Sequence, residues 1–84
     1  MKLNVLFPQA PAVCIEDVLS VELPGSKGRF KVLTGHAPII TLLDEGSIRY
    51  ALKAKDVSRG EEKQISVKGG FAEVRDDEIT VCAD

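Results

Sequence analysis

No stretch of this chain approaches the 18 or more apolar residues that a membrane-spanning helix needs, and the N-terminal MKLNVLFP is too short and too alternating for a signal-peptide core. Cysteine is scarce. Cys14 and Cys82 stand near opposite ends of 84 residues, far from the dense framework of a small disulfide scaffold. Free thiols on strands are the expectation, and a bridge would need the end strands to bring the two Cα atoms within about 7 Å. Lysine and arginine are scattered among aspartate and glutamate at a net charge of −2, so the basic stripe required for nucleic-acid binding is missing.

Reactive groupings are missing too. A catalytic constellation needs a nucleophile with its base, two convergent carboxylates, or metal ligands at workable spacing, and none is visible. The single histidine, His36, lies in a Gly-His-Ala-Pro turn with no Cys or second His nearby and reads as a surface or capping residue. Asp76, Asp77 and Glu78 lack the spacing of a calcium loop and fit a tight turn between strands. Gly25-Ser26-Lys27-Gly28 lacks both the spacing of a phosphate loop and the helix that should follow it. Lys53, Lys55 and Arg59 are diluted by Asp56, Glu61 and Glu62, as on a solvated hairpin tip.

What the chain does have is period-two alternation. Leu3, Val5, Phe7; Leu19, Val21, Leu23; Phe30, Val32; Ile48, Tyr50, Leu52; Ile65, Val67; and Ile79, Val81 each place apolar side chains on one face of a strand. Gly-, Pro- and Asp-rich turns separate these runs, at Pro8–Pro11, Pro24–Gly28, Gly35–Pro38, Asp44–Gly46, Lys55–Glu61, Gly69–Gly70 and Asp76–Asp77. Ser47–Asp56 satisfies both the helical and the strand template and is read as strand. The four prolines, Pro8, Pro11, Pro24 and Pro38, are expected at strand ends, where a missing N–H does least harm.

At 84 residues, 44% apolar and 29% charged, this is one ordinary globular domain. Parallel crossovers of a dozen residues do not fit between such short runs, so the expected fold is all-β. It should be a two-sheet, mainly antiparallel β-sandwich of about eight to ten short strands. The segment Ile39–Leu43 stands out because Ile39, Ile40, Leu42 and Leu43 make both faces apolar. The core covers one face; either a local loop or another protein covers the second.

Several blocks carry a resemblance when read in order. They are the strand MKLNVLFP, the turn and strand LPGSKGRFKVL, the block GHAPIITLL followed by Gly46 and the strand Ile48–Leu52, the block SVKGGFAEV from Ser66 to Val74, and the closing strand ITVCAD. Together they span nearly the whole chain, which resembles the N-terminal β-sandwich domain of the ATP synthase epsilon-subunit family, called delta in mitochondria.

The resemblance implies a non-catalytic rotor subunit of the central stalk, linking gamma to the polar loops of the c-ring and so coupling ion flow to ATP synthesis and hydrolysis. It implies a peripheral position on the cytoplasmic face of the membrane or its organellar equivalent, with no cofactor, metal or nucleic acid. Ser26, Lys27, Gly28 and Arg29 match the segment facing the c-ring. His36 and Thr41 match positions facing gamma, and Ile40 and Leu42 beside them are expected on the same face. Family members often carry acidic residues where this chain has Lys27 and Arg29, which implies a compensating acidic ring loop.

The family usually continues past the closing Ala-Asp into two regulatory helices. Residues 1–84 are therefore expected to be a single sandwich domain without that helical hairpin. Two other readings stand beside this one: a β-sandwich adaptor docking through Ile39–Leu43, and a small carrier or enzyme using Lys27 or Lys68, for which no motif is present. Calorimetry of this chain with ATP is expected to show no tight binding; a tight site would overturn that expectation.

Overall fold

The computed structural model describes all residues from Met1 to Asp84 as nine strands and one short helix. The strands are β1 (Lys2–Phe7), β2 (Ala10–Ile15), β3 (Ser20–Leu23), β4 (Phe30–Leu33), β5 (Ile39–Leu43), β6 (Gly46–Ala51), β7 (Lys63–Val67), β8 (Gly70–Arg75) and β9 (Glu78–Ala83); the helix α1 (Ala54–Ser58) lies between β6 and β7. They form a five-stranded sheet in the order β2-β1-β9-β8-β5 and a four-stranded sheet in the order β4-β3-β6-β7. Every neighbouring pair is antiparallel except β1 and β9, which run parallel with Leu3 beside Ile79 and Val5 beside Val81. This pair joins the two ends of the chain and needs no local crossover, so it escapes the length limit that favours antiparallel pairing elsewhere.

The alternation sets the layers. Leu3, Val5, Ala72, Val74, Ile79, Val81 and Leu43 point from the larger sheet into the space between the layers, where they meet Val21, Leu23, Val32, Ile48 and Val67 from the smaller one. Successive strand residues alternate faces, so the partners of each inward residue in register are inward as well: Leu3, Ile79 and Val74 form one row, Val5, Val81 and Ala72 the next. Packing at crystal-like density makes the body stiff.

Three features depart from the sequence reading. Pro11 lies inside β2 rather than at a strand end, which the fold tolerates because β2 is an edge strand pairing only with β1. The strand read through Asp56 stops at Ala51, and α1 follows. There the Asp56 side chain accepts from the Lys53 backbone N–H at 3.1 Å, closing the first turn. β2 itself has no period-two signal, because its residues are exposed or half-buried throughout.

One tight turn and the cysteines behave as read. Asp76 and Asp77 both adopt positive φ, 52° and 55°, in the two-residue turn between β8 and β9, the geometry of a type I′ hairpin. Both cysteines are free. Their strands, β2 and β9, flank β1, where Cys14 lies opposite Asn4 and Cys82 opposite Leu6, so they are separated by two strand spacings, about 9.5 Å, and by two residues along the strand, beyond the reach of a bridge.

Gly70 opens β8 at a φ of 128°, and a Cβ there would run into the Cys82 carbonyl. Gly70→Ala should therefore cost about 2–4 kcal/mol through backbone strain and steric conflict together. Urea denaturation would show this as a lower midpoint at unchanged slope.

Candidate functional site

The larger sheet has a second apolar face. Outward residues also fall in rows, and one row crosses four strands: Leu6 on β1 lies beside Cys82 on β9, Cys82 beside Phe71 on β8, and Phe71 beside Leu42 on β5. Ile40 adds to its end, two residues along β5. Exposure of Ile40 at 71%, Leu42 at 67%, Phe71 at 46% and Leu6 at 41% shows that nothing in the chain covers this row. With strands about 4.8 Å apart it extends roughly 15 Å, a continuous apolar stripe of the kind that marks a protein contact rather than scattered surface residues. The two-faced character of Ile39–Leu43 is thus resolved: no local loop covers the outer side.

The four residues expected to face gamma are distributed around β5. Ile40 and Leu42 lie on the outer stripe. Thr41 points to the opposite side, half-buried at the end of the row Val5, Val81, Ala72, with its hydroxyl donating to the Leu42 carbonyl at 3.3 Å. His36 sits in the turn before β5, its Nδ1 2.7 Å from the Ala37 carbonyl and its ring 6.5 Å from that of Phe30. The Gly35 N–H of the same turn donates to Asp77 Oδ1 at 2.7 Å, fastening the turn to the β8–β9 hairpin.

Ser26, Lys27, Gly28 and Arg29, the residues expected to face the c-ring, come together in the exposed loop between β3 and β4. Their backbone is held close. Gly25 forms an isolated bridge to Leu43, Ser26 N–H donates to the Leu42 carbonyl at 3.0 Å, and Gly28 N–H closes the turn onto the Gly25 carbonyl at 3.0 Å. Only glycine fits at position 25, because a Cβ there would stand 2.7 Å from the Gly28 carbonyl oxygen and 3.0 Å from the Phe30 ring.

Arg29 reaches back over the smaller sheet. Its Nε donates to Glu22 Oε1 at 2.5 Å and its Nη2 to the Ser47 carbonyl at 2.6 Å. Glu22 also has Arg49 at 3.6 Å, and Lys31 is its neighbour in register on β4. The hydrogen bond from Arg29, helped by the charges of Arg29, Arg49 and Lys31, holds the Glu22 carboxyl below its ordinary value of 4.5 against the opposing effect of burial. Sequence reasoning missed Glu22, Leu6, Phe71 and Cys82. Phe71 could have been flagged by parity alone, being apolar at the solvent-facing phase of β8.

Elsewhere the surface has only shallow depressions, and no three His, Cys, Asp or Glu side chains come together. One depression, between Leu19, Leu33, Ala54 and Val57, borders Ser20, whose Oγ is buried with no hydrogen-bond partner. No helix is long and apolar enough to cross a membrane.

The profile described as "ATP synthase, Delta/Epsilon chain, beta-sandwich domain" matches residues 1–84. The chain belongs to this family. It is 44% identical over 82 residues, 98% of its length, to the ATP synthase epsilon chain of Desulforapulum autotrophicum, and 38% identical over all 84 residues to that of Solibacter usitatus. It spans 56% and 58% of those relatives, little more than half their length. Among solved structures, the fold is shared with a chain of the Euglena gracilis mitochondrial ATP synthase OSCP/F1/c-ring assembly, at a TM-score of 0.77 and 22% identity over 96% of this chain and 48% of that one. It is shared as well with a chain of the Tetrahymena thermophila mitochondrial ATP synthase central stalk/c-ring, at a TM-score of 0.74 and 12% identity over 98% of this chain and 61% of that one.

The charge cluster has a measurable signature. Because Glu22 has a folded-state pKa below its unfolded value, its ionised form stabilises the fold above the unfolded pKa, and this contribution is lost as the pH falls through the folded-state value. Allowing for solvent screening at the partly exposed Arg29, Glu22→Gln should lower stability by about 0.5–1 kcal/mol at neutral pH. Urea titrations over a pH series should show the full deficit above pH 4.5, the ordinary carboxyl value, and a narrowing one below it.

Proposed function

We propose that this chain is a non-catalytic subunit of the central stalk of an ATP synthase. It docks on gamma through the outer stripe of the larger sheet and presents the Ser26–Arg29 loop to the polar loops of the c-ring. It sits peripherally on the membrane face where the catalytic head lies, which is the cytoplasmic face in bacteria. Ion-driven rotation of the ring is passed through it and gamma to catalytic chains elsewhere in the complex.

The observation that supports this reading most is the Leu6–Cys82–Phe71–Leu42 stripe, open to solvent in a chain whose every residue falls within the family match. A stiff two-layer body with an apolar flank and a separate polar loop has two surfaces for two partners, as a coupling element between shaft and ring requires. Ile40 and Leu42 lie in the gamma contact and His36 sits at its rim, whereas Thr41, pointing to the inner side of β5, lies outside the stripe.

Phe71 and Leu42 are neighbours in register and exposed, so replacing both with aspartate should spare the fold and remove the contact. Truncating a hot-spot anchor costs about 2 kcal/mol or more, so Leu42→Asp with Phe71→Asp, at about 4 kcal/mol together, is expected to weaken association with gamma by about 1,000-fold. The readouts are co-elution with gamma on size-exclusion chromatography and circular-dichroism melting of the chain. Failure of the unsubstituted chain to bind gamma, or undiminished binding by the double variant, would remove the proposal.

A further inference from the structure

Two cations stand on the Ser26–Arg29 loop, and the geometry gives them different roles. Arg29 is already engaged on two strands of the smaller sheet, through Glu22 Oε1 on β3 at 2.5 Å and the Ser47 carbonyl on β6 at 2.6 Å. On its other side the loop is tied to the larger sheet by Ser26 N–H to the Leu42 carbonyl at 3.0 Å and by Asp44 N–H to the Pro24 carbonyl at 2.9 Å. The segment therefore bridges both layers, and the guanidinium is its fastening on one of them. Lys27, at the exposed tip between the two attachments, has no ion-pair partner in the chain.

We infer that Arg29 is a positioning residue that locks the Pro24–Gly28 loop, and that Lys27 alone offers a free cation, to a single carboxylate on the facing surface. This rests on the reading that the loop meets the c-ring. The charge balance supports it. Arg29 and Glu22 neutralise each other, and Arg49 and Lys31 already crowd Glu22. Drawing Arg29 away to an external anion would give up two hydrogen bonds, one to a carboxylate and the other to a fixed backbone carbonyl. Lys27, by contrast, breaks no ion pair when it meets an outside carboxylate and gives up only side-chain freedom and hydration. A loop fixed at both ends also places that charge with little further loss of conformational freedom on binding.

Glu22→Gln separates this inference from direct contact by Arg29, because it removes nothing from the loop surface and leaves the arginine charge in place. Three variants are compared with the unsubstituted chain: Lys27→Ala, Glu22→Gln and Arg29→Met. Two quantities are measured: hydrogen exchange at the Ser26 and Gly28 amides, and rebinding to ATP synthase depleted of this subunit, over a range of salt concentrations. Lys27→Ala should weaken rebinding by about threefold to fivefold and flatten its salt dependence, with exchange unchanged. Glu22→Gln and Arg29→Met should both speed exchange, by about threefold and tenfold, and both weaken rebinding.

Rebinding that is unchanged or tighter with Glu22→Gln, together with weakening by Arg29→Met at unchanged exchange, would overturn the inference and make Arg29 the contact. Failure of the unsubstituted chain to rebind would instead strike the underlying functional reading, while the exchange data still judge the positioning role.

Discussion

The parallel pairing of the first and last strands is the contact on which the rest of this molecule depends. Leu3 beside Ile79 and Val5 beside Val81 join β2-β1 to β9-β8-β5 into one sheet, so every row that crosses the larger layer, inner or outer, runs through it. The inner rows carry the core, and the outer row carries Leu6, Cys82, Phe71 and Leu42. Because side chains alternate faces, a slip of one residue in this pairing would send core residues to solvent and break the stripe at once. Stability and contact surface are thus set by the same register.

The second constraint is the way the β3–β4 loop spans the layers. Gly25 and Ser26 are tied to β5, while Arg29 is tied to β3 and β6, so the loop belongs to neither sheet alone. A charged tip mounted this way moves with the body rather than independently of it. The apolar stripe and the polar loop meet along β5, since the carbonyl of Leu42 that accepts from Ser26 belongs to the residue whose side chain ends the stripe. Two partners held on these two surfaces would be linked through a short, hydrogen-bonded path.

The relation between sequence and site is uneven, and the unevenness has physical causes. Leu3 and Val5, Ile79 and Val81, and Val21 and Leu23 announced their strands, because each alternates cleanly between a buried and a wetter face. β2 did not, since an edge strand with Pro11 inside it and no fully buried residue has no alternation to show. The short helix α1 was only partly legible, because Ser47–Asp56 fits the helical and the strand template alike and the helix start depends on a local bond between Lys53 and Asp56. Ile40 and Leu42 were legible as an uncovered face because the excess of apolar residues lies within one strand. Leu6, Phe71 and Cys82 were not, because each is the single apolar residue on the outward face of its strand and becomes part of a surface only beside the others.

Alternation and turn chemistry, read along the chain, were enough to determine that this protein is two layers of short strands, and that Ile39–Leu43 has one face more than its own core can cover. Which residues stand next to one another across strands was decided only in the tertiary structure. Glu22, Arg29 and Ser47 belong to three different segments, and Leu6, Cys82, Phe71 and Leu42 to four. Their meeting depends on strand order and register, which follow from the packing of the whole core rather than from any local pattern.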